Sequence, residues 1–153
     1  MQFDPFEILS LLAELAVGLV GFSGIVLAIR GNVGLIYMMC TAVALAVLAV
    51  LPFALVSVGV GESLIWSVLS ALGALYQIVI NQHSFRAVPD DLKKSPLYWL
   101  FVGGFYLFAV FGIANALLWH SFAAFLVLLC WFFVYVLVLF VRLIHDSTSS
   151  PAA

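Results

Sequence analysis

The final third of the chain contains an apolar run of 48 residues, Leu97 to Ile144, whose main polar interruption lies near Asn115 and His120-Ser121. As one straight helix this run would be about 72 Å long, at 1.5 Å per residue. The hydrocarbon core of a bilayer is only about 30 Å thick. The run must therefore fold back near the interruption, which predicts two antiparallel membrane-spanning helices.

The rest of the chain has the same character. It is 67% hydrophobic and only 8% charged, whereas an ordinary soluble domain carries about 25% charged residues. Each span needs about 20 apolar residues, so most of the 153 residues are used by five spans. The predicted fold is an all-α integral membrane bundle of five transmembrane helices, at about 8–29, 35–58, 64–80, 97–117 and 122–143.

We expect these helices to form a single transmembrane domain, 1–145, followed by a disordered, serine-rich tail, 146–153. Asp4-Pro5 is typical of a helix start, because Asp4 can cap free amides and proline suits the first helical position. The acidic N-terminus differs from the basic start of a secretory signal peptide, so the first helix should be retained. Gly31 is placed to end it.

The distribution of charge predicts the orientation. Cytoplasmic loops carry an excess of Lys and Arg. With the N-terminus outside and the C-terminus cytoplasmic, all five basic residues fall on the cytoplasmic side and three acids fall outside. The basic residues are Arg30, Arg86, Lys93, Lys94 and Arg142, and the acids are Asp4, Glu7 and Glu62. The predicted location is the cytoplasmic (inner) membrane.

Glu14 is the most informative residue of the first span, because it is an acid inside an apolar helix. It lies six residues past Ile8, about 9 Å below the outer interface. A charge at the bilayer centre costs about 2.5 to 3.5 kcal/mol, so such acids usually face protein or water. We therefore expect Glu14 to point inward. No Lys or Arg of the outer half is available as its partner.

Small and polar residues continue the helix face of Glu14. The helical spacing runs from Glu7 and Ser10 through Glu14 to three glycines. The face has two interpretations: a packing surface, since small residues let helices approach closely in lipid, or the lining of a pathway or ligand cavity. The glycines are Gly18, Gly21 and Gly24.

Other polar groups are predicted at the depth of Glu14. Asn115, Ser67 and Ser70 are candidate members of an ion or proton site with Glu14, although a serine in a helix often bonds its own backbone. Gly104 shares a face with Asn115, and it is predicted to pack helices together with Gly112. Thr41, Tyr76 and Gln77 are predicted to extend a path toward the cytoplasm, and for Tyr76 and Gln77 the alternative is to anchor at an interface.

The residues predict no catalytic site, metal site or cofactor. The three histidines lie in different segments without metal-ligand spacing, and no Ser/His/Asp set or phosphate-binding loop is present. The few basic residues make a nucleic-acid partner unexpected. The expected partners are the lipid bilayer, further copies of the chain and a possible unidentified membrane protein.

Two resemblances arise in the first helix. Leu12-Ala13-Glu14 resembles the opening helix of small multidrug exporters, in which one membrane-embedded glutamate binds protons and cationic drugs in competition; the likeness covers about one turn. Ala13-Glu14 followed by 21–26, Gly-Phe-Ser-Gly-Ile-Val, resembles the first helix of small, uncharacterised bacterial multi-pass proteins, which implies a cytoplasmic-membrane setting.

Three functions are consistent with this sequence. The first is a homo-oligomer that forms a cation-conducting or proton-sensitive pathway lined by the first helix, because five short spans leave one chain little room for a lumen. The second is a non-enzymatic structural or accessory subunit, in which Glu14 and Asn115 fix helix packing. The third is a proton-coupled exporter of small molecules.

Overall fold

A computed structural model describes residues 4–30, 33–87, 93–94 and 96–149. Within them, all regular secondary structure is helical. The five long helices are α1 (Pro5–Arg30), α2 (Val33–Ser57), α3 (Glu62–Ala87), α4 (Pro96–Ala114) and α5 (Phe122–Ser149), and a π-helical turn, Asn115–Trp119, follows α4 directly.

Five helices of the described chain are long and apolar enough to cross a membrane, which confirms the predicted number of spans. The chain therefore has the architecture of a multi-pass membrane protein. The apolar segments closely match the predicted ones, and they are Pro5–Val26, Ile36–Ser57, Glu62–His83, Tyr98–Trp119 and Phe122–Val141.

Several helix ends follow from local chemistry. The Asp4 carboxylate accepts a hydrogen bond from the Phe6 amide at 2.9 Å, which confirms the predicted cap of α1. After α2, Gly59 adopts a left-handed conformation with φ of 81°. The Gly59 amide bonds the Val56 carbonyl and the Val60 amide bonds the Leu55 carbonyl, the two hydrogen bonds that close a helix at a left-handed glycine.

Two helices extend beyond their predicted spans. α3 continues to Ala87, seven residues past the predicted end at Ile80, and α5 continues to Ser149, into the tail predicted to be disordered from Asp146. The apolar pattern marks where a bilayer would end, whereas a helix can continue into water. Gly31 and residues 150–153, for which a helix end and a disordered tail were predicted, lie outside the described residues.

The chain forms two compact units, and the single transmembrane domain, 1–145, stays a prediction. The first comprises residues up to Phe53 together with those from Leu129 onward, and the second comprises Ala54–Leu128. In the first unit, Met38, Ala42 and Val136 form a buried cluster. Aromatic edge-to-face contacts add to that packing, with Phe22 and Phe140 at a ring-centroid distance of 5.2 Å.

In the second unit, α3 and α4 approach each other closely at Gly112. A Cβ atom on this glycine would lie 3.1 Å from the Ala74 Cβ atom and 3.1 Å from the Ser70 carbonyl oxygen. Trp66 contributes to the same unit by stacking on Phe125 at 5.7 Å. The small side chains of α3 and α4 therefore allow a close helix contact, as expected where van der Waals packing drives helix association.

Candidate functional site

Glu14 lies on the exposed face of α1. The buried face of this helix contains Leu9, Ala13 and Ala16. At 3.6 residues per turn, Glu14 lies about 100° around the helix from Ala13 and about 160° from Ala16. Its side chain is exposed. The acid therefore points away from the buried face, contrary to the inward orientation that the sequence predicts.

Glu14 also lies near the middle of the apolar segment of its helix. The segment runs from Pro5 to Val26, and Glu14 is nine residues, or about 14 Å, from its start. The depth of Glu14 in a bilayer stays a prediction. Within the described chain, the Glu14 carboxylate makes no ion pair or hydrogen bond. It is thus an acid near the centre of a span that none of the described residues neutralises.

The predicted face of small and polar residues is present beside Glu14. Ser10, Gly18 and Gly21 are exposed like the acid. Cβ atoms added to Gly18, Gly21 or Gly24 would have no neighbour within 4 Å. These three glycines make no close helix contact in the described chain. Their role in helix packing therefore stays a prediction. The helix against which they would pack belongs to another molecule.

Asn115 forms the centre of a hydrogen-bonded cluster in the second unit. Its side chain is completely buried. The Nδ2 atom donates to the Ser70 hydroxyl at 2.7 Å and to the Ser121 carbonyl at 3.0 Å, and the Oδ1 atom accepts from the Ser121 amide at 2.9 Å. Both amide protons and the carbonyl oxygen are used. Asn115 consequently joins α3 to the turn between α4 and α5.

The π-helical turn places Asn115 for this role. It ends at His120, a residue with a left-handed backbone (φ of 51°), and the His120 amide bonds the Asn115 carbonyl at 2.8 Å. A left-handed conformation is uncommon for a residue other than glycine and needs support from its surroundings. The Asn115 side chain provides such support by bonding both backbone groups of the next residue, Ser121.

Ser67 contacts His120 rather than Asn115. The Ser67 hydroxyl donates to the Ser63 carbonyl at 2.8 Å, and its oxygen also lies within hydrogen-bonding distance of the His120 Nδ1 atom. The Ser67–His120 pair therefore holds the α4–α5 turn against α3 from a second position.

The residues predicted to form an ion or proton site are thus found in both units of the chain. Ser70 and Asn115 lie together, Ser67 contacts His120, and all of them belong to the second unit, whereas Glu14 belongs to the first. A partnership of Glu14 with these three residues stays a prediction. Gly112 lies in the close α3–α4 contact, and Gly104 is partly buried in α4.

The sequence predicts neither the contact of His120 with Ser67 nor the burial of Gln77. It marks His120 only as part of the polar interruption at which the chain folds back, and as a histidine without metal-ligand spacing. For Gln77 the sequence predicts an interface or a path, yet its side chain is completely buried, and neither its nitrogen nor its oxygen has a hydrogen-bond partner in the described chain. No group of three potential metal ligands occurs among the described residues.

The geometry defines a class, an all-helical multi-pass membrane protein with an acid exposed on its first helix and a bonded amide cluster between α3, α4 and α5. Comparison of the chain with protein-family models, with curated proteins and with solved structures gives no match. The function is therefore inferred from the residues alone.

Proposed function

We propose that the protein is a homo-oligomer of the cytoplasmic membrane, with its N-terminus outside, in which the first helices of several copies line a cation-conducting or proton-sensitive pathway. The exposure of Glu14 carries this proposal. An acid near the middle of a span costs about 2.5 to 3.5 kcal/mol in lipid. Contact with other copies, or with water between them, removes that cost.

The neighbours of Glu14 suit such an arrangement. Gly18 and Gly21 share its exposed face and have open space above their Cα atoms. In lipid, residues without bulky side chains let helices from different chains pack closely. Around a shared axis they would also leave room next to the acids. The same face thus offers both a helix contact and a route past the carboxylate.

The chemistry of the pathway would depend on the charge of Glu14. Ionised carboxylates from several copies would form a ring of acceptor oxygens, the arrangement that selects cations in other pores. Protonation would neutralise the ring and release the cation. Glu14 would act as a cation site and as a protonation switch, while the three glycines give close approach.

The test is cation flux into proteoliposomes that contain the purified protein. Glu14→Gln should abolish most of the flux, because the amide keeps the shape of the acid and removes its charge. Glu62→Gln is the matched control, since Glu62 is an exposed acid in the first turn of α3. Flux that is unchanged by Glu14→Gln would refute the assignment.

A second experiment tests the contact between copies. After replacement of the two cysteines, Cys40 and Cys130, Gly21→Cys should form a cross-linked dimer in the membrane under mild oxidation. Val79→Cys is the control, because Val79 is exposed on α3, a helix that is not part of the proposed interface. Equal cross-linking at the two positions would contradict an interface on α1.

One observation favours a second function, that of a structural or accessory subunit. All the polar atoms of the Asn115 side chain bond within the chain, as expected for a residue that fixes helix packing. In this case the face of Glu14 would contact a different membrane protein. Glu14→Gln should then preserve assembly with that partner, and the purified protein should conduct no cations.

A further inference from the structure

Gln77 lies on the face of α3 that also contains Ser70 and Ala74. Steps of four and three residues connect these positions, so their side chains project from the same side of the helix. At Ala74 this side faces α4, because a Cβ atom on Gly112 would lie 3.1 Å from the Ala74 Cβ atom. Asn81 continues the face for one more turn and is 5% exposed.

The Gln77 carboxamide is 0% exposed, and neither Nε2 nor Oε1 has a hydrogen-bond partner in the described chain. Burying an amide without partners costs about 1 to 3 kcal/mol by protein mutational data. Buried polar side chains in proteins are for this reason almost always hydrogen-bonded to protein or to ordered water. The two donors and the acceptor of Gln77 therefore call for a partner other than the described residues.

The surroundings define the charge of that partner. α4 and the π-helical turn contain no Asp, Glu, Lys or Arg, and neither does the part of α3 from Ser63 to Gln82. An ion bound between these segments would find no counter-charge on them, and isolated ions are far costlier to bury than neutral groups. A carboxamide offers both donors and an acceptor. The partner must accept and donate hydrogen bonds and carry no net charge.

We propose that Gln77 and Asn81 form a binding site for a small uncharged molecule that both donates and accepts hydrogen bonds, either water or a small polar solute. Beyond Asn81, Gln82 and His83 are exposed at the C-terminal end of α3, which is the side from which the molecule would reach the site. Toward the other end of the helix, the close contact of Ala74 with Gly112 separates the site from the Asn115 cluster. This site is independent of the pathway proposed for α1.

The test uses solid-state NMR of the full-length, ¹⁵N-labelled protein in lipid bilayers. Magnetisation transfer from water to the Gln77 side-chain amide should be of the same order as transfer to exposed Gln82. It should exceed transfer to the backbone amide of Leu69, a fully buried residue of the same helix. Gln77→Leu, or Gln77→Met if that variant does not fold, identifies the signal through its loss.

Titration with acetamide and with its cationic analogue acetamidinium distinguishes the sources of the molecule. If acetamide does not affect the transfer from water, the bound molecule is water. If acetamide shifts the Gln77 signal in a saturable way, the site binds a small polar solute. Two outcomes would overturn the proposal. One is the absence of both water transfer and an acetamide shift, and the other is a shift with acetamidinium alone.

Discussion

Replacing Asn115 by alanine should lower the free energy of unfolding by about 2 to 4 kcal/mol. The substitution removes three hydrogen bonds, from Nδ2 to the Ser70 hydroxyl and the Ser121 carbonyl and from the Ser121 amide to Oδ1. Hydrogen bonds in membrane proteins contribute about 0.6 kcal/mol each on average, so the three together give about 2 kcal/mol. Leaving a partly buried backbone amide without its acceptor adds about 1 to 2 kcal/mol.

The assay is reversible unfolding in mixed micelles, in which the fraction folded is followed as the share of denaturing detergent rises. A double-mutant cycle with Ser70→Ala isolates the bond between Asn115 and Ser70. The coupling should be about 0.6 kcal/mol and not above about 1.7 kcal/mol. Ser57→Ala is the control for the loss of a hydroxyl, because Ser57 is exposed and bonds only the Ala54 carbonyl in its own helix.

The control should change the free energy of unfolding by less than about 0.5 kcal/mol, as expected for an exposed substitution. The same small change for Asn115→Ala would refute the reasoning, because it would mean that the amide does not hold the α4–α5 turn to α3. A full effect of Asn115→Ala without coupling to Ser70 would instead limit the stabilising contacts to Ser121.

Substitutions at Gly112 and at His120 test the packing of the second unit in the same assay. Gly112→Ala should destabilise the protein by about 1 to 3 kcal/mol, since the new Cβ atom meets the Ser70 carbonyl oxygen at 3.1 Å, whereas Gly103→Ala, on the same helix with open space, should be neutral or stabilising. Equal effects of the two would argue against a close α3–α4 contact. His120→Ala and His120→Gly both remove the contact with Ser67, but only glycine relaxes the left-handed backbone, so the glycine variant should be more stable by about 1 kcal/mol. The opposite order would contradict the strain at this turn.

The sequence predicts the spans well because one physical quantity, the length of apolar chain, determines them. The fold-back of the run from Leu97 to Ile144 follows from helical rise and bilayer thickness alone, and the structure has it at the expected polar interruption. Asp4-Pro5 marks the start of α1 by equally local chemistry. The end of α3 was less predictable, because the polar residues after Ile80 still form a helix and the first proline after Ile80 is Pro89.

The site was less predictable because it depends on the direction of side chains. Asn115 and Ser70 were both predicted at one depth, but only the packed helices show that they bond to each other. The period of 3.6 residues that indicates an α-helix does not predict the π-helical turn, because such a turn contains one additional residue. The sequence identified Glu14 as unusual but not the side of α1 that it occupies, because small and polar residues fit a core and a protein interface equally well.

The charge of each polar group explains its position in this chain. Among the residues whose burial the structure describes, the buried polar ones are all neutral, and they are Ser23, Thr41, Ser70, Gln77, Asn81 and Asn115. A neutral group can be satisfied by one or two hydrogen bonds, and Ser23 and Thr41 find theirs on the carbonyls of their own helices. An acid cannot be buried in this way, because its charge needs a counter-charge or water that the apolar spans do not supply.

The difference in charge therefore explains why Glu14 is exposed on its helix and Gln77 is buried. Each of them lacks a partner in the described chain. Their missing partners must differ, since a carboxylate needs a cation, a proton or a polar surface, while a carboxamide needs a neutral molecule. Each substitution should thus affect one property only. Glu14→Gln should change cation flux and leave water transfer to Gln77 intact, whereas Gln77→Leu should remove that transfer and leave cross-linking through Gly21→Cys unchanged.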